Sequence, residues 1–100
     1  MIATKKKISI STFLDDAGKI VRIPAPNRTK LPTLGYLAGK FEEGKIYSEK
    51  EVNGIINDWH TFGDYFILRR LLVDYKFLGR TPNGEKYWVI KKEEEKEGDI

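Results

Sequence analysis

The chain contains no cysteine and a single histidine among its 100 residues. Without thiols there are no disulfides, no thiolate nucleophile and no cysteine-based zinc cluster, and such a chain suits the reducing cytosol. His60 alone cannot assemble a metal site, and its place beside Trp59 at a helix end reads as a helix C-terminal cap rather than as a catalytic group. Long apolar runs are missing too. No stretch approaches the length of a membrane span, and Ile8-Ser9-Ile10-Ser11-Thr12, after Lys5-Lys6-Lys7, is too polar for a signal-peptide core. The chain has no phosphate-gripping glycine loop, no nucleophile with a base beside it and no carboxylate pair at a working spacing. It therefore does not read as an enzyme and implies neither cofactor nor metal. The neighbouring Asp15 and Asp16 are explained by a turn.

The length fits one domain with one modest core. The formal net charge is +3, but it is unevenly spread. Residues 93–100 hold five acids against Lys96, a local −4, which leaves +7 on residues 1–92. A basic body with an acidic tail is compatible with nucleic acid as a partner, although charge runs of this kind are usually solvated ends. The expected organisation is a basic arm over 1–7, one domain over 8–92 and an acidic tail over 93–100. No internal repeat and no membrane partner is indicated.

The stretch from Tyr47 to Lys91 carries the strongest signals. Ser48-Glu49-Lys50-Glu51 is a capping box, with Tyr47 and Val52 at staple positions. Val52, Ile55, Ile56 and Trp59 come next at the spacing of one helical face, leaving Lys50, Asn53, Asn57 and Asp58 as a polar back. After His60-Thr61-Phe62-Gly63, Asp64 is a candidate cap for a second helix. There Tyr65, Leu68, Leu72 and Tyr75 line the inner face with Ile67 and Leu71 on its flank, and steps of 100° put Phe66, Arg69, Arg70, Val73 and Asp74 on the outer arc. Beyond Tyr75 the pattern alternates through Phe77-Leu78-Gly79-Arg80-Thr81. Pro82-Asn83-Gly84-Glu85 then signals a hairpin with Asn83-Gly84 as a type I′ loop. That loop pairs Pro82 with Glu85, Arg80 with Tyr87, Gly79 with Trp88 and Leu78 with Val89.

Ahead of this stretch, Ile8–Leu14 and Lys19–Ile23 read as a second hairpin around Asp15-Asp16-Ala17-Gly18, with a short helix ending near Leu14 as the rival. A further helix is expected from a cap at Thr29 to Gly44, burying Leu31, Leu34, Leu37, Ala38 and Phe41, with Pro32 in its first turn. Lys45-Ile46-Tyr47 is a short extended piece. The fold class is α+β: a winged helix-turn-helix-like domain of three helices, a C-terminal β-hairpin wing and an N-terminal β-hairpin.

In such a domain the second helix of the turn motif enters the major groove, so Arg69 and Arg70 are the leading candidates for contacts to DNA, with Phe66 and Val73 on the same arc. Arg80, Lys86 and Lys91 on or near the wing are candidates for backbone contacts. Two alternatives compete with this: an Arg70–Asp74 pair four residues apart, and Arg80 lying over Tyr87. Two functions fit, a transcriptional regulator binding double-stranded DNA, or a non-enzymatic protein-interaction or ligand-sensing module contacting its partner through Phe66 and the wing. A homodimer or another protein partner is compatible with either.

The residues also carry a family likeness. Phe13-Leu14-Asp15, Gly18-Lys19-Ile20, Ile23-Pro24, Leu34, Tyr36-Leu37-Ala38, Phe41-Glu42, Tyr47-Ser48-Glu49-Lys50-Glu51-Val52-Asn53, His60, Asp64-Tyr65, Leu68-Arg69-Arg70, Leu72-Val73-Asp74-Tyr75, Arg80, Gly84 and Tyr87-Trp88 together resemble the bacterial "domain of unknown function 2087" family. The resemblance runs over residues 13–88. It implies a small winged-helix-type domain, sometimes attached to an arsenic-repressor-type DNA-binding domain, and so a role around transcriptional regulation. The sequence departs from the family pattern at Lys76, where glycine is usual, and at Leu71, where glutamate is usual.

Overall fold

A computed structural model describes residues 10–90. Helices α1 (Asn27–Ala38), α2 (Glu49–Asp58) and α3 (Tyr65–Asp74) precede strands β1 (Leu78–Arg80) and β2 (Tyr87–Val89), which form a two-stranded antiparallel sheet. This is the expected α+β class. The expected arm over 1–7 and tail over 93–100, with Lys91, lie outside the described residues. No helix among the described residues is long and apolar enough to cross a membrane.

One core joins all the elements. Leu34 and Leu37 of α1, Val52 and Ile56 of α2, and Leu68 and Leu72 of α3 are fully buried, with Leu78 and Tyr87 closing the cluster from the hairpin. The capping box forms as expected: the Glu51 amide donates to Ser48 Oγ at 3.1 Å, and the Ser48 amide donates to Glu51 Oε1 at 2.8 Å. Asp64 Oδ1 likewise accepts from the Ile67 amide at the start of α3. Between the two helices, buried His60 donates from Nδ1 to the Ile56 carbonyl at 2.7 Å and accepts at Nε2 from the Asp64 amide at 2.8 Å. A carbonyl can only accept and an amide N–H can only donate, so the ring is neutral with its proton on Nδ1. It caps the end of α2, and it also ties that end to the start of α3.

The strand register is the expected one, Leu78 opposite Val89, Gly79 opposite Trp88 and Arg80 opposite Tyr87. The turn is not. Asn83 does not take a positive φ and only Gly84 does, at +74°, so the loop is not type I′. Pro82 has no amide to offer Glu85, and the Thr81 hydroxyl closes the loop instead by accepting from the amides of Glu85 and Lys86. Tyr47 exchanges two backbone hydrogen bonds with Tyr87, both 2.8 Å, which sets the segment before α2 beside the hairpin.

The N-terminal part departs further from expectation. Of the hairpin over 8–23, the described residues keep one antiparallel bridge between Leu14 and Ile20, preceded by a 3-10 turn at Ser11–Phe13. Ile20 is fully buried and makes its other bridge to His60, so it serves the α2–α3 junction rather than a sheet. Tyr36 Oη donates to the Gly18 carbonyl at 2.6 Å and holds this loop on α1.

Helix α1 starts earlier than the expected cap. The Pro26 carbonyl accepts from the amides of Thr29 and Lys30, and the Thr29 hydroxyl turns back to the same carbonyl. Thr29 is therefore inside the helix, and Pro32 falls in its second turn, where it withholds an amide from the Arg28 carbonyl. Leu31 is 37% exposed rather than core. The helix ends at Ala38; Phe41 is buried beyond it, edge-on to Tyr47, and left-handed Gly44 belongs to the next loop.

The departure at Lys76 has a visible cost. Helix α3 ends in a Schellman motif, with the Phe77 amide donating to the Leu72 carbonyl and the Lys76 amide to that of Val73, and Lys76 sits at φ 68°. A left-handed side-chain-bearing residue is strained by roughly 1–2 kcal/mol. After the entropy that glycine loses on folding, Lys76→Gly is expected to stabilise the domain by about 1 kcal/mol, which a denaturant titration would read as a raised midpoint at constant slope.

Candidate functional site

An open cleft of about 520 Å³ separates the outer arc of α3 from the hairpin. From α3 it receives Phe66, Arg69, Arg70, Val73 and Asp74; from the hairpin Arg80, Asn83, Gly84 and Tyr87; and from the first turn of α2 Glu49. Five of the seven expected site residues thus meet at one place. Lys86 does not, since it borders a separate hollow at the hairpin tip with Thr81, Pro82, Asn83 and Glu85.

The two arginines of α3 differ in kind. Arg69 turns towards α2, where Nη1 donates to Asn53 Oδ1 at 2.6 Å and lies 3.3 Å from Glu49 Oε2, and its side chain is only 14% exposed. The expectation that both face outward holds for Arg70 alone. Arg70 Nε is 3.9 Å from Asp74 Oδ2, with the two side chains 64% and 59% exposed. A pair so exposed contributes little to stability, and its cation can exchange partners at small cost. The expected Arg70–Asp74 pairing is therefore present, yet it leaves the cation usable.

Arg80 stands directly across the hairpin from Tyr87, and its Nη1 approaches the Thr81 carbonyl at 3.5 Å. Phe66 is half exposed and lies 5.4 Å beneath the Arg69 guanidinium, while Val73 is half-buried against the core. The cleft wall is thus a guanidinium fixed in place by α2, two others that are solvated, and three apolar side chains. Such a surface can grip an anion with Arg70 and Arg80 while half-exposed Phe66 contacts an apolar or aromatic group, with Val73 half-buried and Tyr87 buried behind it.

Sequence patterns alone leave out Glu49 and Asn53. Both are on α2 four residues apart, hence on one helical face, and that acid–amide pair is the signal that a cation from a neighbouring helix could dock there. The apolar start of α3 is also less buried than its periodicity predicts. Tyr65 is 38% and Ile67 45% exposed, and with Phe62 and Phe66 they make an apolar tip. Leu71, by contrast, packs against the chain's own core. The charge available is modest: residues 10–90 hold twelve Lys and Arg against ten Asp and Glu, a net +2, and the other five of the +7 on residues 1–92 are Lys5, Lys6, Lys7, Lys91 and Lys92.

Two capped helices joined by a tight turn, then an antiparallel hairpin that flanks an arginine-lined cleft, define a small α+β domain of helix-turn-helix order. The chain belongs to the family described as "Uncharacterized protein conserved in bacteria (DUF2087)", whose model matches residues 19–89. Comparison with curated proteins and with solved structures gave no significant match in either case.

Proposed function

We propose that this chain is a non-enzymatic, cytoplasmic DNA-binding domain of a bacterial transcription regulator, or of a protein that works with one, in which α3 and the hairpin act as recognition helix and wing. The observation that carries this reading is the convergence of Arg70 from α3 and Arg80 from β1 on one open cleft, with Arg69 braced behind them by Glu49 and Asn53. Arg69 in this reading positions α3, and Arg70 and Arg80 meet the phosphates. A duplex engaging about five phosphates should show log affinity falling with log salt at a slope of about −4 to −5. Arg70→Ala combined with Arg80→Ala should make that slope shallower by about 2, since each lost phosphate contact removes about one unit. Anisotropy titrations of duplex DNA at several salt concentrations test this. Binding indifferent to salt, or unchanged in the double variant, would refute it.

The exposed row Phe62, Tyr65, Phe66 and Ile67 favours a second reading, contact with another protein or a second copy of this chain through the tip of α3. That reading expects Phe66→Ser to abolish association seen by light scattering, with no salt-dependent DNA binding.

A further inference from the structure

Resting on the DNA-binding reading, we infer that α3 recognises thymine methyl groups on either side of a single arginine contact. The outer stripe of α3 that faces the cleft runs Phe66, Arg70, Val73, at spacings of four and three residues and therefore on one helical face. Only the middle member is polar. Phe66 is 50% exposed and the Arg70 side chain 64%, while Val73 is half-buried and shows only its outer part to the cleft. The neighbouring outer positions offer no alternative donor: Arg69 is held by Asn53 and Glu49, and Asp74 carries the wrong charge for a phosphate.

Base edges in the major groove are distinguished by donors, by acceptors and by the C5 methyl of thymine. A stripe with a phenyl ring at one end and an isopropyl group at the other has no hydrogen bonds to give at those ends. What it can read there is the methyl. At about 1.5 Å per residue, Phe66 lies about 6 Å and Val73 about 4.5 Å along the helix axis from Arg70. Those distances correspond to one to two base pairs at about 3.4 Å each. The charge that brings this stripe to DNA comes from Arg70 itself and from Arg80 across the cleft, so the partner is a duplex and the apolar positions set its preference.

The experiment compares two pools of short random-sequence duplexes, one made with thymidine and one with deoxyuridine, which differ only in that methyl. Full-length protein should bind the thymidine pool about three- to tenfold more tightly, a range below the discrimination of a bidentate polar contact. The salt slope should be the same for both pools, because a methyl group carries no charge. Phe66→Ser should lose the larger part of the preference, leaving what Val73 contributes, with its melting temperature preserved, since the Phe66 side chain is already half in solvent. Equal affinity of the unaltered protein for both pools at a steep salt slope overturns the methyl inference and leaves the DNA reading standing. Failure to bind either pool overturns both.

Discussion

Replacing His60 with alanine is expected to lower the melting temperature by roughly 12–24 °C, a large effect for a polar residue. The substitution leaves the Asp64 amide without its acceptor, removes one of the two donors to the Ile56 carbonyl, which keeps the Trp59 amide, and empties a site that is only 5% exposed. Unmet polar groups cost about 1–3 kcal/mol each when buried, and the cavity adds to that, so a total of about 3 kcal/mol is reasonable. For a domain of this size each kcal/mol moves the midpoint by roughly 4–8 °C. The ring also stands edge-on to Phe62 at 4.7 Å between centroids, and that contact is lost as well. Thermal melting monitored by circular dichroism is the measurement. His60→Gln, whose amide can restore one of the two bonds, should lose less. A melting point within a few degrees of the unaltered protein would show that the α2–α3 junction does not depend on this ring.

Gly79→Ala should come next, at about 1–3 kcal/mol. A β-carbon on Gly79 would stand 2.5 Å from two atoms of the Trp88 indole, Cε2 and Nε1, and 2.7 Å from Cζ2. These are ring atoms directly across the ladder, so the indole must swing away or the strands must part. Here glycine is required by close approach, because the ring occupies the place a side chain would fill. A lowered denaturant midpoint should be accompanied by a displaced indole N–H resonance for Trp88, while that of Trp59 stays where it is. If the Trp88 resonance did not move, the ring would not rest on Gly79. Because Arg80 is the next residue, the same variant should also weaken any ligand that uses the cleft.

The elements legible in the chain are those specified by local chemistry. Ser48 and Glu51 satisfy each other's amides within four residues, and Asp64 needs only the Ile67 amide, so both helix starts are visible without knowing what they pack on. The hairpin register comes from alternation and from where the glycine falls. The turn type does not, because the Thr81 hydroxyl competes for amides that a two-residue loop would have paired along the ladder. The start of α1 is hidden for a similar reason. Thr29 has the chemistry of a cap, but the Pro26 carbonyl is already in position to accept the first bonds, and the hydroxyl joins it rather than replacing it.

The candidate site divides along the same line. A helical wheel is enough to place Phe66, Arg70 and Val73 on one arc, and the hairpin register to set Arg80 against Tyr87. Whether an arginine on that arc is free depends on what the adjoining helix presents. Arg69 is captured by Glu49 and Asn53, residues twenty and sixteen positions earlier. Only the packing of α2 on α3 brings them within reach, and no pattern within α3 announces it.

The paired Tyr47 and Tyr87 amides give the molecule a mechanical asymmetry. Tyr47 adjoins the capping serine, and its phenol oxygen receives the Glu42 amide at 2.8 Å, so the root of the ribbon is stitched to the loop that feeds α2. Among the described residues, the hydrogen bonds of the far end, from Thr81 to Lys86, stay within it or reach no further than Arg80. Any bending of the ribbon against a bound surface should therefore be confined to its outer half, and amide exchange should grade along it: slow at Tyr87, fast at Glu85.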